Sequence, residues 1–221
     1  MIEIEKTIKD LCPNGVEYVK LSEVVHSIKT GLNPRTNFKL NIDGATNYYV
    51  TVKEITSGSI VFSDKTDRIT DEALSIIQNR SHLEEGDVLL SGIGTIGKVA
   101  LVDIPTNNWN CSESVFLIKP KKDRILPKFL MYLLGTTEVQ NQWNSQSVGS
   151  TLRGIRMETV NNLQIPLPPL AAQCEIVQVL DKFTLLSSEL AAELAARKAQ
   201  YEYYRDSLLS FKNLTKGGGM K

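Results

Sequence analysis

The chain has 221 residues, 42% hydrophobic and 23% charged, and its 25 basic and 25 acidic side chains cancel to a net charge of zero. That is ample apolar material for a core in one large domain or a domain with an appendage. The neutral balance excludes a uniformly basic nucleic-acid binder, so any phosphate-neutralising face is local or comes partly from another subunit.

The acidic, amphipathic start, residues 1–6, lacks the apolar block of a signal peptide, and no apolar run reaches the roughly 18 residues of a membrane span. Residues 46–52 are aromatic and β-branched, as strands are, and 59–62 form a second short strand ended by Ser63 and Asp64. Thr70, Asp71 and Glu72 cap a short helix through Gln78. Residues 86–90 and 98–102 are strands flanking a run of glycines, and 114–118 are another; 127–134 and 137–145 are helical. Residues 1–168 thus predict an α+β globule with many loops.

From residue 170 to 211 there is no Gly or Pro, and Ala, Leu, Glu and Lys are frequent. Alternate steps of four and three give Ile176, Leu180, Phe183, Ser187, Leu190, Leu194, Arg197, Tyr201, Tyr204, Leu208 and Phe211. Nine of these eleven are apolar, a heptad seam. At ~1.5 Å per residue the helix is roughly 60 Å long, against a radius of gyration of about 17 Å for a compact chain of this size. The sequence therefore predicts a helix that projects beyond the globule and needs a partner for its seam. The alternative, a bend that folds the helix back on itself, has no turn residues to mark it. Gly217, Gly218 and Gly219 read as a flexible tail or linker.

Gly92, Gly94 and Gly97 spell G-x-G-x-x-G, followed by Lys98. A dinucleotide cradle requires those glycines to open a helix, whereas residues 98–102 read as a strand. A P-loop requires a hydroxyl where Val99 stands. The stretch is therefore read as a strand-to-strand connection, and a nucleotide-dependent enzyme loses its main support. No G-x-S-x-G elbow, H-E-x-x-H or Glu-x-Lys occurs. Cys12, Cys111 and Cys174 are distant and odd in number, and His26 and His82 lack ligand spacing. This argues for reduced thiols in a cytoplasmic protein with no disulfide framework and no metal site.

Several segments in order then carry a resemblance. Residues 11–18 (LCPNGVEY) and 20–24 (KLSEV) are followed by 28–34 (IKTGLNP) and 49–52 (YVTV). Residues 86–90 (GDVLL) run into 94–99 (GTIGKV), and Gly149, Ser150, Thr151, Gly154 and Ile155 lead to 165–170 (IPLPPL), Gln173, Ile176, Leu180 and Asp181. Together these resemble the specificity subunits of Type I restriction–modification systems. The resemblance implies a non-catalytic target-recognition domain reading half of a bipartite site in double-stranded DNA, followed by a conserved helix that acts as ruler and docking platform for methyltransferase subunits. Those subunits use S-adenosylmethionine, and a restriction subunit using ATP and Mg joins them; this chain itself is expected to hold no cofactor. In the full-length family two recognition domains and two antiparallel helices occur, so this chain is expected to be a half subunit. The acidic residue usual before Gln173 is here Ala172.

The expected organisation is a recognition domain at 1–168, a coiled-coil helix at 169–212 for homodimerisation and docking, and a tail at 213–221. Candidate DNA contacts are polar loop residues of the globule: Lys29, Arg35, Lys53, Arg68, Thr95, Lys98, Asn108, Asn110, Gln146 and Arg153. A different class, a homodimeric coiled-coil scaffold that binds no DNA, fits the helix and the neutral charge equally well.

Overall fold

The computed structural model describes residues 2–144 and 154–210. Helix α1 (Ile2–Leu11) opens the chain, and strand β1 (Glu17–Lys20) follows it. The central sheet has four antiparallel strands in the order β2 (Val25–Thr30), β10 (Val115–Pro120), β7 (Val88–Ser91), β8 (Val99–Leu101). Its two inner strands are nearly continuous apolar runs, the pattern of strands covered on both faces. Their alternation sorts the side chains: Val88, Leu90, Phe116 and Ile118 enter one core, and Leu89, Val115 and Leu117 enter another.

The first core is filled by helices α4 (Pro127–Leu134), α5 (Thr137–Asn144) and α6 (Met157–Asn161), through Phe129, Leu130, Trp143 and Val160. The second core packs on a mixed three-stranded sheet ordered β6 (Arg68–Ile69), β3 (Asn47–Val50), β9 (Trp109–Cys111), in which β3 and β9 run parallel. Helix α3 (Asp71–Ser81) starts as expected, with the Thr70 hydroxyl accepting from the Ala73 amide, but runs past Gln78 to a left-handed His82. The predicted strand 59–62 is only β5 (Ser59–Ile60), paired with β4 (Ile55–Thr56). Positive φ at Ser57 (50°) and Gly58 (85°) makes that connection a two-residue turn matched to strand twist. Helix α2 (Pro34–Asn37) is a single turn capped by Asn33.

Strand β1 pairs antiparallel with β11 (Gln164–Leu167), Val19 opposite Ile165, so the segment leading to the last helix is tied to the start of the globule. Pro168 and Pro169 end that strand, and α7 (Leu170–Leu209) follows as one unbroken 40-residue helix. The fold-back alternative is thereby excluded. The first compact unit runs to Val177, eight residues into α7, and the helix from Gln178 onward belongs to the second. In the first unit Ala172 and Gln173 are buried, and Ile176 and Val177 pack against the first core. An acidic side chain at position 172 would be buried as well. Ile176 therefore leaves the expected seam, because its apolar surface is covered within its own chain. From residue 182 to 210 every side chain is exposed.

Candidate nucleic-acid interface

The glycine run is the connection between β7 and β8, with Leu90 opposite Val99. Three of its amides are already used: Gly92 N donates to Ser114 O at 2.8 Å, Gly97 N to Ser91 O at 3.0 Å, and Lys98 N to the Ser91 hydroxyl at 2.8 Å. A strand leaves the turn where a phosphate cradle needs a helix N-terminus. The glycines have local reasons instead. A side chain at Gly92 would run into the Phe116 ring, and Gly97 holds φ +86° beside Gln140. Titration with NAD, ATP and S-adenosylmethionine is accordingly expected to show no saturable binding to the isolated chain; a micromolar site near Lys98 would refute this.

The expected contact residues fall into separate groups. Lys98 reaches across to Val52 O at 2.9 Å, next to exposed Lys53. Thr95 is exposed at the tip of the same turn, whose Gly92 carbonyl accepts from Ile155 N. Arg68 and Asn108 flank the start of β3. Arg68 lies opposite Tyr48 in the sheet, and the Asn108 carbonyl accepts from Tyr48 N at 2.9 Å. Lys29 is half-buried on β2, and Arg35 is exposed on α2. Gln146, Arg153 and the last seam residue Phe211 lie outside the described residues, as does the tail 213–221.

Asn110 is a correction. Pairing opposite Tyr49 in the parallel β3–β9 ladder buries it completely, and its amide group is used inside. Its Nδ2 donates to Gln78 Oε1 at 2.7 Å, and its Oδ1 accepts from the Ser81 hydroxyl and the Cys111 amide. It joins α3 to the sheet and presents nothing to a ligand.

Tyr48 and Phe62 carry no motif, yet they build an aromatic stack beside Arg68. Their rings stack at 4.1 Å and 14°, Phe62 meets Trp109 edge-on at 5.9 Å, and the Arg68 guanidinium lies 3.6 Å above the Tyr48 ring. Only the aromatic and β-branched texture of 46–52 hinted at this, since the stack joins residues from four segments. Nearby, Tyr49 donates to Leu32 O at 2.6 Å and to Glu113 at 3.3 Å, and Asn33 donates to the same carboxylate at 2.8 Å. Burial, with Glu113 beside it, pushes the Tyr49 phenol far above its usual range. It stays protonated as a fixed donor. Among the described residues no cluster of three or more His, Cys, Asp or Glu has metal-binding geometry, and no helix is long and apolar enough to cross a membrane.

The exposed part of α7 forms the other surface. Phe183, Leu190, Leu194, Tyr201, Tyr204 and Leu208 of the seam are each more than half exposed in the single chain. Leu180 is half-buried. The breaks at Ser187 and Arg197 interrupt the stripe, and Arg197 pairs with Glu193 at 3.5 Å.

The chain is 30% identical over 138 residues to a putative type I restriction enzyme specificity subunit of Haemophilus influenzae, covering 61% of this chain and 34% of that protein. Over a shorter stretch of 56 residues it is 59% identical to the EcoR124I/EcoR124II specificity subunit of Escherichia coli, covering 22% of this chain and 14% of that one. In fold it matches the HsdS subunit of Thermoanaerobacter tengcongensis with a TM-score of 0.58 at 20% identity, over 95% of this chain and 52% of that structure. The chain thus spans about a third of the first relative and about half of the solved structure. The model of the Type I restriction modification DNA specificity domain matches residues 13–196, from the entry to β1 through most of α7, and the chain belongs to that family.

Proposed function

We propose that this chain supplies sequence recognition to a cytoplasmic Type I restriction–modification complex. Its globule reads one half of a bipartite site in double-stranded DNA, and its helix pairs with a second copy and docks methyltransferase subunits. The observation that carries this reading is the family match, which runs through both the globule and the helix. In this reading the chain turns over no substrate. The methyltransferase subunits bind S-adenosylmethionine, and a restriction subunit supplies ATP- and Mg-dependent activity.

The physical chemistry is consistent. A net charge of zero limits the phosphate contacts this chain makes alone, so much of the salt-dependent affinity comes from the methyltransferase subunits. On α7, Leu185 and Tyr203 are exposed roughly 200° around the helix from Phe183, taking 3.6 residues per turn. That leaves apolar surface for docking outside the seam used for pairing.

The test is methylome sequencing of cells carrying the partner methyltransferase with and without this chain. One new adenine-methylated motif, an interrupted palindrome, is expected only when the chain is present. A dimer that forms normally yet adds no motif would replace this reading with the DNA-free scaffold.

A further inference from the structure

We propose that Arg68 is a specificity-determining residue that reads the major-groove edge of a guanine, an assignment that rests on the DNA-recognition reading above. This one side chain is held at several points. Its backbone is clamped by Asn41, whose side-chain Oδ1 accepts from Arg68 N at 2.8 Å and whose backbone N–H donates to Arg68 O at 2.9 Å. Its guanidinium carbon sits 3.6 Å over the Tyr48 ring, which stacks on Phe62, whose ring meets the buried indole of Trp109 edge-on. One fork nitrogen, Nη1, donates to Thr46 O at 2.8 Å and fixes rotation in the plane.

What remains is an unused edge. Among the described residues, Nε and Nη2 of Arg68 have no protein acceptor, and no carboxylate lies within ion-pair distance. The two acids closest along the chain are engaged elsewhere: Asp67 accepts from the Asn41 amide and Asp71 from the Asn47 amide, both at 2.7 Å. A cation held in plane, with two parallel donors and no internal counter-charge, matches the O6 and N7 acceptors of guanine. It is already ordered before binding, so little side-chain freedom is lost on contact. Lys98 differs, because its ammonium is used on Val52 O. Thr46 and Asn108 beside the stack are exposed, so the edge lies at an open surface.

The experiment uses the full chain assembled with its methyltransferase, and duplexes built on the motif that the wild-type complex methylates. At one guanine of the half-site, replacement by 7-deazaguanine or adenine is expected to weaken wild-type binding roughly 5- to 150-fold. The same replacement should cause no further loss in Arg68→Ala. Arg68→Lys keeps the positive charge but loses the fork, so it should lose that guanine preference while keeping its salt dependence. In cells, both variants should methylate a motif degenerate at that single position.

A uniform loss across all duplexes in Arg68→Ala, with the salt slope reduced by about one, would make Arg68 a phosphate contact and overturn the assignment. An unaltered motif and affinity would overturn it too, as would a wild-type half-site without guanine. Should Arg68→Ala fail to fold, the 7-deazaguanine series on the wild type and on Arg68→Lys decides the matter alone. A wild-type complex that methylates no motif overturns the underlying DNA-recognition reading instead.

Discussion

Leu190→Asp combined with Leu194→Asp is expected to leave the chain monomeric at tens of micromolar, a concentration at which light scattering is expected to give the wild type twice the monomer mass. Six large seam side chains are more than half exposed in the single chain, twelve in a pair. Full burial of each contributes at most roughly 1.5–3 kcal/mol, against about 4–15 kcal/mol for association, so the balance is expected to favour pairing. Two carboxylates at adjacent seam positions, each facing the partner's apolar side chains, remove the gain and add an unpaired buried charge. Ser187 and Arg197 interrupt the seam, and polar residues there fix register and orientation at some expense in stability. Two identical chains joined about a two-fold axis would read the same half-site in inverted orientation, so the methylated motif is expected to have that symmetry, with a spacer set by helix length. The double variant should therefore lose methylation together with the dimer. A monomeric wild type, or an asymmetric motif with only this chain present, would refute the pairing.

The long helix was the most legible part of the chain because everything that defines it is local: no Gly or Pro, helix-forming residues and a heptad stripe. The strands 86–90, 98–102 and 114–118 were legible for a related reason, since strands covered on both faces write themselves as apolar runs. Short strands escaped. Arg68–Ile69, Ile55–Thr56 and Trp109–Cys111 hold two or three residues each, and their existence depends on partners distant along the chain. The misplacement of Asn110 has the same origin. In the run Asn107, Asn108, Trp109, Asn110 the polar residues look like one exposed loop, but parallel pairing with β3 turns Asn110 inward and leaves Asn108 outside. The Arg68 stack was invisible as a unit because it joins positions 48, 62, 68 and 109. Only the backbone register brings them into one column.

Gln173→Leu is expected to destabilise the first compact unit by about 2–4 kcal/mol, lowering its melting temperature by roughly 10 °C. Gln173 is fully buried at the start of α7. Its side-chain oxygen accepts from Leu126 N at 2.8 Å, and its amide donates to Arg124 O at 3.0 Å and Pro168 O at 2.9 Å. One side chain thus joins the turn before α4, the prolines that end β11 and the first turn of the long helix. Leucine conserves the volume and strands all three backbone groups, which isolates the hydrogen-bond contribution from packing. Gln173→Glu tests the polarity of the arrangement. It keeps an acceptor for Leu126 N but sets a second oxygen against the carbonyls of Arg124 and Pro168. Burial and those carbonyls raise the new carboxyl's folded pKa above its unfolded value of about 4.3. A raised pKa gives stability that is present at acid pH and lost as pH rises through the folded value. Gln173→Glu should therefore lie close to the wild type near pH 4 and fall well below it near pH 8, whereas the deficit of Gln173→Leu is the same at both. Thermal denaturation of the three chains at the two pH values measures this, and a pH-independent deficit for Gln173→Glu, or a leucine variant as stable as the wild type, would show that this joint does not hold the helix start to the globule.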